Sequence, residues 1–105
     1  MIQIVLKESP GFVNIKASGH SLFDDKGKDL VCCAVSTLIQ SWHISTRELC
    51  KAGVTADKKS GYFEARAEKN KDSALLFNSL KLSLSVIANR YPDNIKLIVE
   101  DKNGT

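Results

Sequence analysis

Ile2-Gln3-Ile4-Val5-Leu6-Lys7 and, beyond the turn Glu8-Ser9-Pro10-Gly11, Phe12-Val13-Asn14-Ile15-Lys16-Ala17 are the two runs on which the fold turns. In the first, Ile2, Ile4 and Leu6 alternate with Gln3, Val5 and Lys7; in the second, Val13, Ile15 and Ala17 fall on one side. Apolar residues at every second position describe a strand with one buried face, and the Pro-Gly turn between the runs makes the pair a hairpin. A sheet buried on one side needs a second layer, so the remainder of the chain has to supply helices.

Working outward, residues 21–28 are polar apart from Leu22 and Phe23 and are expected to form a mobile loop. Asp29 is placed to cap a helix in which Leu30, Val31, Ala34, Val35, Leu38, Ile39 and Trp42 recur at three and four residue spacings, with its end expected near Ile44. Residues 49–56 and 62–67 read as two strands joined by Asp57-Lys58-Lys59-Ser60-Gly61. Residues 70–90 contain neither Gly nor Pro, and Leu76, Leu80, Leu84, Ile87 and Tyr91 draw one stripe of a helix about 31 Å long. Leu75, Leu82 and Val86 draw a second stripe, more than about 100° around the axis, so one face can pack on the sheet while the other must meet the first helix or another subunit. Pro92-Asp93-Asn94 stops the helix, residues 95–100 alternate as a last strand, and residues 101–105 are expected to fray. The predicted fold is α+β: a two-layer sandwich of ββαββαβ order, with two helices on one face of a mostly antiparallel sheet.

The 105 residues are 43% apolar, enough for one core and too few for two, so residues 1–105 are read as one domain. Charged residues make up 26% and mix in sign, and no apolar run reaches 18 residues, which argues against disorder and a membrane span. A net charge of +3 is too slight to indicate a nucleic-acid partner. The opening apolar run is too short for an export signal, so a cytoplasmic setting is expected. Cys32, Cys33 and Cys50 cannot all pair within one chain, and no C-x-x-C occurs, which excludes a disulfide scaffold and a zinc finger. No metal or other cofactor is expected.

The chemistry then falls to a thiol and an imidazole. His43 lies 11 residues beyond Cys32 on the same predicted helix, roughly 16 Å along its axis, too far to exchange a proton. His20 ends the second strand, and the loop after it leads back to the helix N-terminus that carries Cys32, which can bring the two groups together. A helix N-terminus favours a thiolate by only about 0.3 to 1 kcal/mol, less than one pKa unit, so an imidazolium has to supply most of the activation. The backbone N–H groups of Cys32 and Cys33 stand ready for an oxyanion. Spacing alone does not decide the matter, because a cysteine in the first turn of an apolar helix serves equally as a small core side chain.

Gly19-His20, then 11 residues that end in Gly27-Lys28-Asp29-Leu30-Val31, then Cys32-Cys33-Ala34-Val35-Ser36, resembles the ribosomal-processing cysteine protease family (Prp). That family's motif is a Gly-His, 11 intervening residues, and a Cys preceded by Gly-x-Asp-aliphatic-Val and followed four residues later by Ser. The resemblance places His20 and Cys32 on the catalytic dyad, with Gly27, Asp29 and Ser36 on its other motif positions. It implies a cytosolic endopeptidase and small α/β homodimer. The implied substrate is the extended N-terminus of the twenty-seventh protein of the large ribosomal subunit, cut after an aromatic pair. Cys33 stands where a small apolar residue is usual in the family, and Asp24 and Lys26 replace a glycine and an aromatic in the loop.

Asp29 has two readings, a helix cap and a residue that orients His20; Ser36 has two, a substrate contact and a bond back to a carbonyl. Leu22, Phe23 and Gly27 are expected to meet substrate as the loop closes over an aromatic side chain. Cys33, about 100° around the helix from Cys32, is expected to face the core, and Cys50 and Trp42 read as packing. The competing function is a small basic domain that binds RNA or the ribosome without catalysis. It lacks a G-x-x-G loop, and its aromatic residues are scattered rather than set on one strand beside basic ones.

Overall fold

A computed structural model describes residues 1–19, 22 and 30–101. Strands β1 (Ile2–Glu8) and β2 (Phe12–Ser18) form the hairpin read from the alternation, with Ile4 opposite Ala17 and Leu6 opposite Ile15. Ile4, Leu6, Val13, Ile15 and Ala17 are fully buried. The chain continues through α1 (Leu30–Leu49), β3 (Val54–Lys59), β4 (Tyr62–Glu68), α2 (Lys71–Arg90) and β5 (Ile95–Asp101). This is the ββαββαβ order expected.

The sheet runs β3-β4-β2-β1-β5, antiparallel throughout except for the parallel pair of β1 with β5. Both helices pack on one face of it. Their buried side chains, Val35, Ile39 and Trp42 of α1 and Phe77, Leu80 and Leu84 of α2, join the inward residues of the strands in one core. The opposite face carries Gln3, Lys16 and Arg66 toward solvent, the arrangement an antiparallel sheet tolerates.

Several boundaries differ from the sequence reading. Helix α1 runs five residues past Ile44, because Ser45-Thr46-Arg47-Glu48 contains no breaker and Thr46 continues the buried series Cys32, Val35, Ile39, Trp42. Thr46 is fully buried, and a hydroxyl residue is invisible to a search for apolar periodicity. The buried stripe is also rotated from the one expected: Leu30 and Ala34 are exposed, while Cys32 and Ser36 face inward.

The third strand begins at Val54 instead of residue 49, and its connection to β4 shrinks to Ser60-Gly61, since Lys59 pairs with Tyr62. Asp57-Lys58-Lys59 looked like a loop because β3 is an edge strand, and charged edges are how sheets avoid pairing with other chains. In α2, Phe77 is a core residue, and Tyr91, expected on the buried stripe, is the exposed C-cap. Asp101, expected in the frayed tail, ends β5 opposite Glu8.

Helix α2 opens with a reciprocal cap: Ser73 N–H donates to Asn70 Oδ1 at 2.8 Å and Asn70 N–H to Ser73 Oγ at 2.7 Å. Asn70 Nδ2 also donates to the Cys50 carbonyl at 3.1 Å, which ties the end of α1 to the start of α2. Beside that cap, Lys69 Nζ lies 2.8 Å from Glu8 Oε2, with both side chains largely buried.

Because Phe77 is enclosed between α2 and the sheet, Phe77→Ala should lower the unfolding free energy by about 3 to 5 kcal/mol in urea titrations. Asn70→Ala, which removes the cap, should cost about 1 kcal/mol.

Candidate active site

The first turn of α1 starts on the stripe that fixes the whole helix. Cys32, its third residue, faces the sheet with 7% of its surface exposed, and Ser36 lies buried one turn later on the same side. Cys33, expected in the core, is exposed instead. The phase set by Val35, Ile39 and Trp42 puts Cys32 on the inward side, and the further turn of about 100° carries Cys33 out of it. The Cys50 thiol is buried at the far end of the helix, where burial first and the Asp72 carboxylate second push its pKa up. A thiol so shifted is a poor nucleophile.

The end of β2 meets the tip of the β3–β4 hairpin. Gly19 N–H donates to the Gly61 carbonyl at 3.0 Å, Gly61 N–H donates to the Leu22 carbonyl at 2.7 Å, and Leu22 N–H reaches Gly19 O at 3.3 Å. Leu22, expected to meet substrate, is instead fully buried in the shared core. An apolar side chain surrounded by polar neighbours is easily taken for a surface contact, but one leucine suffices to fasten a chain segment if the core has room for it. His20, Phe23, Gly27 and Asp29 lie outside the described residues, as does the rest of the segment expected to be a mobile loop.

Over residues 1–96 the sequence matches the model of the family described as Cysteine protease Prp. The chain belongs to that family. It is 34% identical over 80 residues to the ribosomal processing cysteine protease Prp of Mycoplasma genitalium, an alignment covering 75% of this chain and 80% of that protein. The fold is similar to that of an essential ribosomal processing protease Prp from S. aureus. The crystal structure of that protein with a covalently linked product peptide superposes with a TM-score of 0.82 at 23% identity, over 94% of this chain and 99% of that one. A second structure of the S. aureus protease, with a substrate peptide, gives 0.81 at 22% identity with the same coverage. Membership makes the chain one of a family of cysteine proteases, and the superpositions carry the ββαββαβ architecture with it.

Among the described residues, no cluster of three His, Cys, Asp or Glu side chains is arranged to hold a metal ion, and no helix is long and apolar enough to cross a membrane. His43, which the helix spacing separated from Cys32, packs edge-on against Phe63 of β4 with ring centroids 5.7 Å apart. Its surroundings disfavour the charged form: burial lowers its pKa from the usual 6.5, and Arg47 and Lys58 add smaller repulsions. It has the environment of a packed, neutral imidazole.

The unfolded chain takes up a proton on His43 near pH 6.5 and the folded chain only at lower pH, so folding is opposed as pH falls through that window. NMR titration should place the His43 midpoint below 6.5. The urea midpoint of the wild type should fall more steeply below pH 6.5 than that of His43→Gln.

Proposed function

We propose that the protein is an endopeptidase in which Cys32 is the nucleophile and His20 its proton carrier. The observation that carries this reading is the family match over residues 1–96, which includes the Gly-His and Cys motif positions, combined with the placement of Cys32 in the first turn of α1. There the backbone N–H dipoles of a helix start favour negative charge on sulfur and on a carbonyl oxygen under attack.

The chemistry divides into two halves. His20 accepts the thiol proton, and the thiolate of Cys32 adds to the scissile carbonyl carbon. The resulting oxyanion rests on the N–H groups of Cys32 and Cys33. Collapse breaks the C–N bond as the His20 imidazolium protonates the leaving amine, and Cys32 is left as a thioester. Water, giving a proton to His20, then attacks the thioester; the acid product leaves and the thiol is restored. Asp29 caps α1 or orients His20, Phe23 and Gly27 contact the bound peptide, and Ser36 either contacts it or bonds back to a carbonyl.

The proposed substrate is the extended N-terminus of the twenty-seventh protein of the large ribosomal subunit, cut after an aromatic pair. The relative from M. genitalium is named for ribosomal processing, and the S. aureus protease has been captured with substrate and product peptides, which supports a peptide substrate of this kind. Residues 1–105 act as one catalytic domain in the cytoplasm, with no need of a cofactor, a membrane or direct contact with nucleic acid. Incubation with a peptide of that extended N-terminus, with the products weighed by mass spectrometry, tests the proposal. Cleavage should disappear in Cys32→Ala and persist for the most part in Cys33→Ala; equal loss in two folded variants would overturn the choice between the neighbouring thiols.

The second proposal is a homodimer. Leu75, Leu82 and Val86 lie on one stripe of α2 and are 67%, 69% and 60% exposed, turned away from the core that holds Phe77, Leu80 and Leu84. A contiguous apolar stripe on a small protein usually marks an interface, and a two-fold pair lets one stripe cover its copy. Light scattering at micromolar concentration should give twice the chain mass of 11.5 kDa, and Leu82→Glu should shift it toward the monomer.

A further inference from the structure

We infer that Gly61, at the tip of the β3–β4 hairpin, is a positioning residue for His20. The inference rests on the assignment of His20 as the proton carrier of Cys32. Gly61 is 41 residues beyond His20 in sequence, and no motif connects them. The fold does: Gly61 uses both of its backbone polar groups on the two residues that bracket His20-Ser21, its carbonyl accepting from Gly19 N–H at 3.0 Å and its N–H donating to Leu22 O at 2.7 Å. Gly19 and Leu22, one on each side of that pair in sequence, are thus both bonded to one residue of another hairpin.

Only glycine serves at that point, for two independent reasons. Its φ of +73° lies in the left-handed region, which side chains disfavour. A Cβ there would also stand 2.9 Å from the Gly19 carbonyl oxygen, closer than real contacts allow. Gly19 has little freedom to retreat, since a Cβ on it would lie 3.0 Å from Ile2 Cα and 3.2 Å from the Met1 carbonyl oxygen. The two glycines let three backbone segments, the start of β1, the end of β2 and the hairpin tip, meet without side chains between them. A substitution at Gly61 is therefore relieved at the expense of Gly19, the residue bonded to His20.

A proton carrier is sensitive to such displacement. Misplacing a reacting group by about 1 Å can cost about 100-fold in rate, while the global fold, held by the core, is little affected. Leu22 adds to the argument: its side chain is enclosed in the core while its backbone carbonyl is held by Gly61, so its position is set from both directions.

The test uses two changes at one position. Gly61→Ala adds the Cβ; replacing the Gly61 amide by an ester, with glycolate at 61, deletes the N–H without adding an atom to the side chain. The second is accessible by ligating a synthetic segment that begins at Cys50 to residues 1–49. Peptide cleavage gives kcat and KM, and iodoacetamide labelling of Cys32, separated from Cys33 by fragment-ion mass spectrometry, is followed from pH 5 to 9. Both variants should lower kcat, by about tenfold or more for Gly61→Ala and about threefold for the ester, with KM changed less than kcat.

The acid limb of Cys32 labelling should move in the direction produced by His20→Ala, and in a His20→Ala background neither change at residue 61 should alter it further. Wild-type kcat and labelling in the ester variant would overturn the role of Gly61. So would an undiminished effect of residue 61 in the His20→Ala background, which would mark a general disturbance of α1. A labelling profile unaltered by His20→Ala itself would overturn the dyad, and the inference would fall with it. Should Gly61→Ala not fold, the ester variant decides the question alone.

Discussion

The rotational phase of α1 is the constraint on which the rest depends. Val35, Ile39, Trp42 and Thr46 recur at spacings of four, three and four, and all four are buried against the sheet and α2. Burying a side chain of the size of valine or isoleucine is worth about 1.5 to 3 kcal/mol, so turning the helix by one residue would forfeit several such contributions at once. No local preference of a cysteine competes with that. The phase presents Cys32 to the sheet and Cys33 to solvent, and a choice that matters for chemistry is made by hydrophobic burial two and three turns away.

That dependence explains which parts of the molecule the sequence discloses. The hairpin of β1 and β2 is legible because Ile2, Ile4, Leu6, Val13, Ile15 and Ala17 all obey one rule, apolar at every second position, and all are buried. The end of α1 is not legible because Thr46, fully buried, counts as polar in any such rule. The bounds of strand β3 are hidden for the opposite reason: five of its six residues are exposed, so it has no buried alternation to display and is held by pairing with β4. In α2, Leu80 and Leu84 mark the inner face correctly, but the stripe drawn from Leu76 omits Phe77, three residues before Leu80 on the same inner side, and Tyr91 lies past the last turn as the exposed C-cap.

The candidate site divides along the same line. A motif is a statement about neighbours in sequence, and Gly19-His20 with Cys32 and Ser36 are visible as one. Whether Leu22 faces a ligand or the core depends on what stands across from it, and no spacing within residues 21–28 contains that information. Gly61 is harder still to find. As one residue of a Ser-Gly turn it looks like any hairpin tip, and its close approach to Gly19 arises only when β4 pairs with β2 so that Tyr62 lies opposite Ser18. The residue after Ser18 and the residue before Tyr62 must then meet at the end of the ladder.

The position of that tip is in turn settled at the base of the hairpin. Residues 50 and 70 are joined by the bond from Asn70 Nδ2 to the Cys50 carbonyl. Just inside it, Glu68 N–H donates to Gly53 O at 2.9 Å and Gly53 N–H to Glu68 Oε1 at 2.9 Å. The β3–β4 unit is thus closed where α1 ends and α2 begins, and the ladder of β4 with β2 carries that placement along seven paired residues to Gly61 and Gly19. The packing of the two helices against each other and the end of β2 at Gly19 are therefore linked through a hairpin whose outer strand, β3, has no fully buried side chain. Strand β4 lends Phe63, Ala65 and Ala67 to the core. Its pairing with β2 gives it another office, to carry the position of the helix pair to the chain beside the imidazole.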